Sequence, residues 1–323
     1  MGAALLGNSS LAWAGEGPEE ESGRLTPGDA ALLRFAVAAE ALETDVWDQY
    51  NELGGVQDNE FPGGGGTGNP SCTAALPVLD MDIPQCIHDN TDDEFTLQNF
   101  LNAYLVSKGA DPLNLEQFRT LPDSSATGFS GKLRLINLAQ LTLGRCYRDD
   151  SHTPDLDPNF KNPQSVSTLA RGQHTAIPRT DADTTDPNFH QAITNTAAFH
   201  FPTIEQEGNS LYPSMAQRAT TVGVWRILIG IGPTETMHFQ TWSDKEGNAP
   251  PLTAVDPVTG VSVTFPDPNS PPFGGEEFST NLIMPEAVPV SEQEAAMFDY
   301  STGGNKGRCD GHSEFSDRDG TLR

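Results

Sequence analysis

The sequence predicts an all-α protein, a four-helix bundle with one extra helix, long connecting loops and an extended Pro/Gly-rich C-terminal tail. Three observations carry this expectation. Five segments repeat apolar residues at helical spacing. The stretches between them are crowded with helix breakers, 31 Gly and 25 Pro among 323 residues, about 17 % against a usual ~12 %. Strand-like alternation is confined to short runs such as Val261-Ser262-Val263-Thr264-Phe265.

The first helix opens at Thr26-Pro27-Gly28-Asp29, an N-cap candidate followed by proline at the first helical position. Leu33, Val37 and Ala41 share one face, with Leu32, Phe35 and Ala39 beside them, and Gly54-Gly55 ends the helix. Residues 55–90, with the run Gly63–Gly66, read as loop. The second helix is capped at Asn90/Thr91 and ends at Gly109; Phe95, Leu97, Leu101 and Leu105, with Phe100 and Tyr104, make a broad apolar face. A third spans 131–147. The prolines of the following stretch, 149–187, exclude a long helix there.

The fourth helix starts at Asp186-Pro187. It sets Phe189, Ile193, Ala197 and Phe201 on one face before Pro202, a candidate break or kink. The fifth starts at Thr220/Thr221. Its stretch Val222–Ile231 is apolar almost all round, the pattern of a helix buried on every side, and Pro233 is expected to kink or restart it. The organisation that results is an arm over 1–25, the bundle over 26–245 and a tail over 246–323 that wraps the bundle or a neighbour. The tail is the element through which a homo-oligomer or larger assembly would form.

Composition excludes some partners. With 45 acidic against 18 basic residues the formal charge is −27, and no basic patch exists to displace counterions from nucleic acid. Anionic membrane surfaces are repelled for the same reason, and no stretch reaches the ~18 apolar residues of a membrane span. At the N-terminus an apolar stretch ends in Ala12-Trp13-Ala14 and is followed by Glu16 and Glu19–Glu21. This reads as the end of a signal peptide, and hence as export to the periplasm or medium. An even set of four cysteines, Cys72, Cys86, Cys146 and Cys309, fits that compartment. Pairing Cys72 with Cys86 and Cys146 with Cys309 is one of three possible connectivities, and four buried thiols are the alternative.

A few carboxylates interrupt apolar faces: Glu40, Glu94, Glu205 and Glu235, the last three residues before His238. A lone buried carboxylate is costly, so such groups pair or hold a metal. A dinuclear site in a four-helix bundle takes one Glu from each of two helices and Glu-x-x-His from each of the other two. The chain supplies Glu40, then Glu94-x-x-Leu97, then Glu205, then Glu235-x-x-His238. The order is right, and Leu97 stands where the second histidine would be. The alternatives are bland: a solvated outer face for Glu40 and Glu43, and for Glu94 an acid beside Asp92 and Asp93 that favours a helix N-terminus.

At these residues the chain resembles bacterial ferritin-like proteins related to desiccation-related and secreted stress-associated proteins. The likeness runs over about residues 30–250. It is carried by LRFAVAAEALETDVWDQYNELGG, DNTDDEFTLQNFLNAYLVSKGADPLNLEQFRTLP, AIPRTDADTTDPNF, AAFHFPTIEQEGNSLYPSMA and RILIGIGPTETMHFQTWSDKEGN, with FGGEEFSTNLIMPE extending it into the tail. The resemblance implies a ferritin-like bundle, Glu40, Glu94, Glu205, Glu235 and His238 as ligands of Fe or Mn, and a stress-protective role. Leu97 and Pro233 are the departures from the family pattern. They leave open a second expectation, a structural or interaction protein that kept the bundle and holds no metal.

Overall fold

The computed structural model describes residues 23–58, 66–139 and 175–265. Helices hold 62 % of these residues and the sheet has only two short strands, so the protein is all-α with a small β ornament. The elements are α1 (Pro27–Gly54), α2 (Pro70–Ala75), α3 (Ile83–Ser107), α4 (Pro187–Ala216), α5 (Val222–Glu246), β1 (Leu252–Val255) and β2 (Ser262–Phe265). Local chemistry sets the starts. The Thr26 hydroxyl accepts from the N–H of Asp29, Asn69 Oδ1 from those of Ser71 and Cys72, and Asp186 from that of Asn188, each ahead of a proline that needs no partner.

The long helices pack as two pairs, α1 with α3 and α4 with α5. Two apolar clusters sit at opposite ends. One joins Leu33 and Val37 of α1, Leu101 and Leu105 of α3, Tyr212 and Met215 of α4, and Leu228 of α5. The other joins Trp47 and Leu53 of α1, Ile83 and Ile87 of α3, Phe199 and Phe201 of α4, and Trp242 of α5. The first cluster takes the N-terminal ends of α1 and α5 and the C-terminal ends of α3 and α4. The helices therefore run up, down, down, up. Since α3 and α4 are parallel, a long crossover connects them.

Several expectations are corrected. α3 begins at Ile83, not at Asn90, with Pro84 in its first turn and Ile83 and Ile87 buried; residues 55–90 are thus not all loop, and α2 lies within them. The helix expected at 131–147 does not form over 131–139. Backbone donors there are engaged by side chains of α1: Leu135 and Ile136 donate to Asp45 Oδ2 at 2.8 and 2.9 Å, and Leu138 to Gln49 Oε1 at 3.2 Å. Arg134 pairs through its backbone with Leu121. Residues 140–147 lie outside the described residues.

α4 continues through Pro202 and Pro213, and α5 through Pro233. The carbonyl that Pro233 leaves without its helical donor belongs to Ile229, on the solvent side of α5. That helix is not buried all round: Val222, Trp225 and Ile229 are exposed at 48, 46 and 39 %, while Val224, Leu228 and Ile231 face the core. Cys72 and Cys86 are unpaired thiols, so the expected disulfide between them is absent. Burial pushes the Cys72 thiol up to about 12, and raises that of Cys86 too. Cys146 and Cys309 lie outside the described residues. The first part of the expected tail does pack on the bundle. β1 and β2 pair antiparallel, Leu252 opposite Phe265, Ala254 sits with Phe189 and Ile193, and Phe265 meets the ring of Phe199 at 5.3 Å.

Candidate metal centre

Between the two apolar clusters lies a layer of acid. Glu40 of α1, Glu94 of α3, Glu205 of α4 and Glu235 of α5 are each fully buried, at 0 % exposure, and His238 is at 9 %. All five residues singled out by sequence come together here. Two groups of donor atoms form, in each of which the atoms lie within 4.8 Å of one another. One is Glu94, Glu205, Glu235 and His238; the other is Glu40, Glu43, Glu94 and Glu235. Glu94 and Glu235 belong to both. A separation of this size is what one cation with ligand bonds of about 2.0–2.4 Å requires of its donors.

The helical position of Glu94 removes one of the bland alternatives. With α3 starting at Ile83, Glu94 sits in the fourth turn, too far in for the helix N-terminus to favour it. Its carboxylate faces inward.

The hydrogen bonding is lopsided. Glu205 Oε1 accepts from Trp47 Nε1 at 2.8 Å and from Asn90 Nδ2 at 3.2 Å, and Asn90 Nδ2 also reaches Glu94 Oε1 at 2.9 Å. Trp242 Nε1 donates to Asn90 Oδ1 at 2.8 Å, which fixes the amide. His238 Nδ1 lies 3.2 Å from both Glu94 Oε1 and Glu205 Oε2, and its Nε2 lies 3.1 Å from Asp93 Oδ2. Opposite them, both oxygens of Glu40, both of Glu235 and Oε2 of Glu94 accept no hydrogen bond. Buried carboxylate oxygens without donors are expensive unless a cation or a proton meets them.

The electrostatics follow. Burial first, then the charges of Glu94, Glu43 and Glu235, hold the Glu40 carboxyl well above its ordinary range. Burial followed by Glu94, Glu43 and Glu205 does the same to Glu235. Glu205 is raised by burial, with His238 offsetting part of it. Burial opposes the charge on His238, yet Glu205, Asp93 and Glu94 together raise its imidazole far above the usual value. Without metal the imidazolium is the cation of the site. A metal that takes Nδ1 displaces that proton.

Sequence reasoning missed the supporting residues, although helical spacing places each of them. Trp47 lies seven residues after Glu40, Asn90 four before Glu94, and Trp242 four after His238, each on its ligand's face. Glu43 follows Glu40 by one turn and points into the layer instead of coating the outside. Gly208, three residues after Glu205, lets the Glu235 carboxylate lie where it does: a Cβ there would stand 2.5 Å from Glu235 Oε2 and displace it. Below the layer an aromatic floor excludes water, with Trp47 and Trp242 stacked at 5.0 Å and Phe201 4.6 Å from Trp242. The Tyr50 hydroxyl lies 2.6 Å from His200 Nδ1, and burial lowers that imidazole to about 3, so Tyr50 donates and His200 is a satisfied core residue.

No family model matches the chain, and no curated protein or solved structure matches it significantly. Among the described residues no helix is long and apolar enough to cross a membrane. The centre stands on its own geometry.

Proposed function

We propose that this is an exported metal-binding protein of ferritin-like build, whose bundle core holds Fe or Mn and protects against oxidants. One observation carries the metal reading: Glu40, Glu94 and Glu235 bury five carboxylate oxygens that accept no hydrogen bond, within two donor groups of which one includes an imidazole nitrogen. Three carboxylates with one imidazole suit iron, manganese or zinc. The up, down, down, up arrangement with one long crossover supports the ferritin-like build, in which such sites are made from facing helices.

This chain's residues do the holding. Glu94, Glu205, Glu235 and His238 take the metal, Asp93 fixes the His238 ring through Nε2, and Trp47 and Asn90 orient Glu205 and Glu94. A redox-active ion bound there supplies one-electron chemistry toward oxidants. Export rests on Ala12-Trp13-Ala14 and the acids after it; the unpaired Cys72 and Cys86 give it no support.

Elemental analysis of the purified protein and of a Glu235→Ala variant tests the reading. Near-stoichiometric metal that the variant loses is expected; no metal in either, after incubation with Fe2+ or Mn2+, contradicts it. A second reading, a metal-free scaffold, draws on Leu97, which packs against the apolar cluster above the layer. Under that reading Glu40 and Glu235 stay protonated, and added divalent metal leaves the unfolding temperature unchanged.

A further inference from the structure

The two donor groups differ in kind. One contains an imidazole nitrogen, and the other, Glu40, Glu43, Glu94 and Glu235, is oxygen only. The difference traces to two positions. Leu97, one turn after Glu94, offers no donor and packs with the apolar cluster that contains Leu101 and Leu228. Glu43, one turn after Glu40, brings a carboxylate oxygen into the same half of the layer. Glu40, at 0 % exposure, brings two oxygens that accept no hydrogen bond, and Glu235, also at 0 %, belongs to both groups with neither of its oxygens hydrogen-bonded.

We propose that Glu43 takes the place of the absent histidine, so that the centre holds two unlike ions. An oxygen-preferring divalent cation, Mn2+ or Ca2+, sits among Glu40, Glu43, Glu94 and Glu235; a nitrogen-accepting metal, Zn2+ or Fe2+, sits against His238. Carboxylates select the first class and imidazole suits the second. The inference rests on the metal-binding reading above.

The test uses the full chain, stripped by chelator, with calorimetry for Zn2+ and electron paramagnetic resonance for Mn2+. Zn2+ is expected to bind in two steps, the first at least ~10-fold tighter, and the protein loaded with one Zn2+ to take up one Mn2+. Glu43→Gln weakens Mn2+ by at least ~10-fold and leaves the first Zn2+ in place, while His238→Gln does the reverse. Circular dichroism confirms that each variant is folded, and Glu43→Asp, which keeps the charge, retains Mn2+ uptake. Two equal Zn2+ steps, or Mn2+ uptake untouched by Glu43→Gln, overturn the inference while leaving a metal site standing. Failure of any metal to bind overturns the metal reading itself.

Discussion

Helix α1 carries two sets of buried acids, and they are treated in opposite ways. Asp45, Asp48 and Glu52, in its last turns, meet cations: Arg119 on Asp45, Lys132 on Asp48, and Arg134, itself at 0 % exposure, on Asp48 at 3.1 Å, on Glu52 and on Asp123 at 2.8 Å. Backbone N–H groups and the Ser130 hydroxyl donate to further oxygens of Asp45 and Glu52, while Asp48 Oδ1 accepts no hydrogen bond. Glu40, less than two turns earlier, meets other carboxylates and no donor. The first set is structural, and docks residues 116–138 on the bundle. The second set finds no donor on the polypeptide, so a proton or a cation must meet its oxygens. Burial of an acid is therefore not the signal of a site; burial among like charges is.

The largest effect that sharpens this contrast comes from the paired set. Arg134→Ala strands Asp48, Glu52 and Asp123, and should lower stability by about 3–5 kcal/mol, measured by urea unfolding, with or without metal. The unpaired set should respond with the opposite sign. Glu40→Gln, which relieves a charge facing only charges, is expected to raise the stability of the metal-free protein by about 1 kcal/mol. The same variant should lose much of the stabilisation that metal gives, about 2.7 kcal/mol at one hundred times Kd. Equal behaviour of the two variants in apo and loaded protein would erase the distinction.

Gly208→Ala pushes a methyl group into the Glu235 carboxylate. It should weaken metal binding by about 10-fold, read by calorimetry, at little cost to the apo fold.

The smallest effect concerns another paired acid, Asp256. Burial raises its carboxyl, but Arg179 and the N–H groups of Val258 and Thr259 outweigh this and hold it at about 2. That lies below the unfolded value near ~3.9. Its contribution is therefore complete above pH about 4 and is lost as pH falls toward 2. Asp256→Asn should flatten that part of the acid limb in a stability-against-pH profile. An unchanged limb would remove Asp256 from the account.

The legible parts of the fold were those where periodicity and capping agree. Thr26-Pro27, Asp186-Pro187 and Thr221 mark three helix starts correctly, and the ordered Glu40, Glu94, Glu205, Glu235 and His238 name five of the six ligand candidates. What was not legible depended on tertiary partners. Nothing local in GKLRLINLA says that its N–H groups are claimed by Asp45 and Gln49, so helical spacing misled there. Pro233 reads as a breaker because the sequence does not reveal which side of α5 faces water. For Glu43 the sequence offers only the solvated outer face that it offers equally for Glu40.

The most direct measurement is an anomalous-difference map from crystals of the protein loaded with Mn2+ and Zn2+, recorded on both sides of the Zn absorption edge. Two peaks are predicted, both in contact with Glu94 and Glu235. The one beside His238 Nδ1 should vanish below the edge, and the one beside Glu40 and Glu43 should persist. A map without peaks among these residues, with Glu40 and Glu235 hydrogen-bonded to each other as neutral acids, would contradict the account.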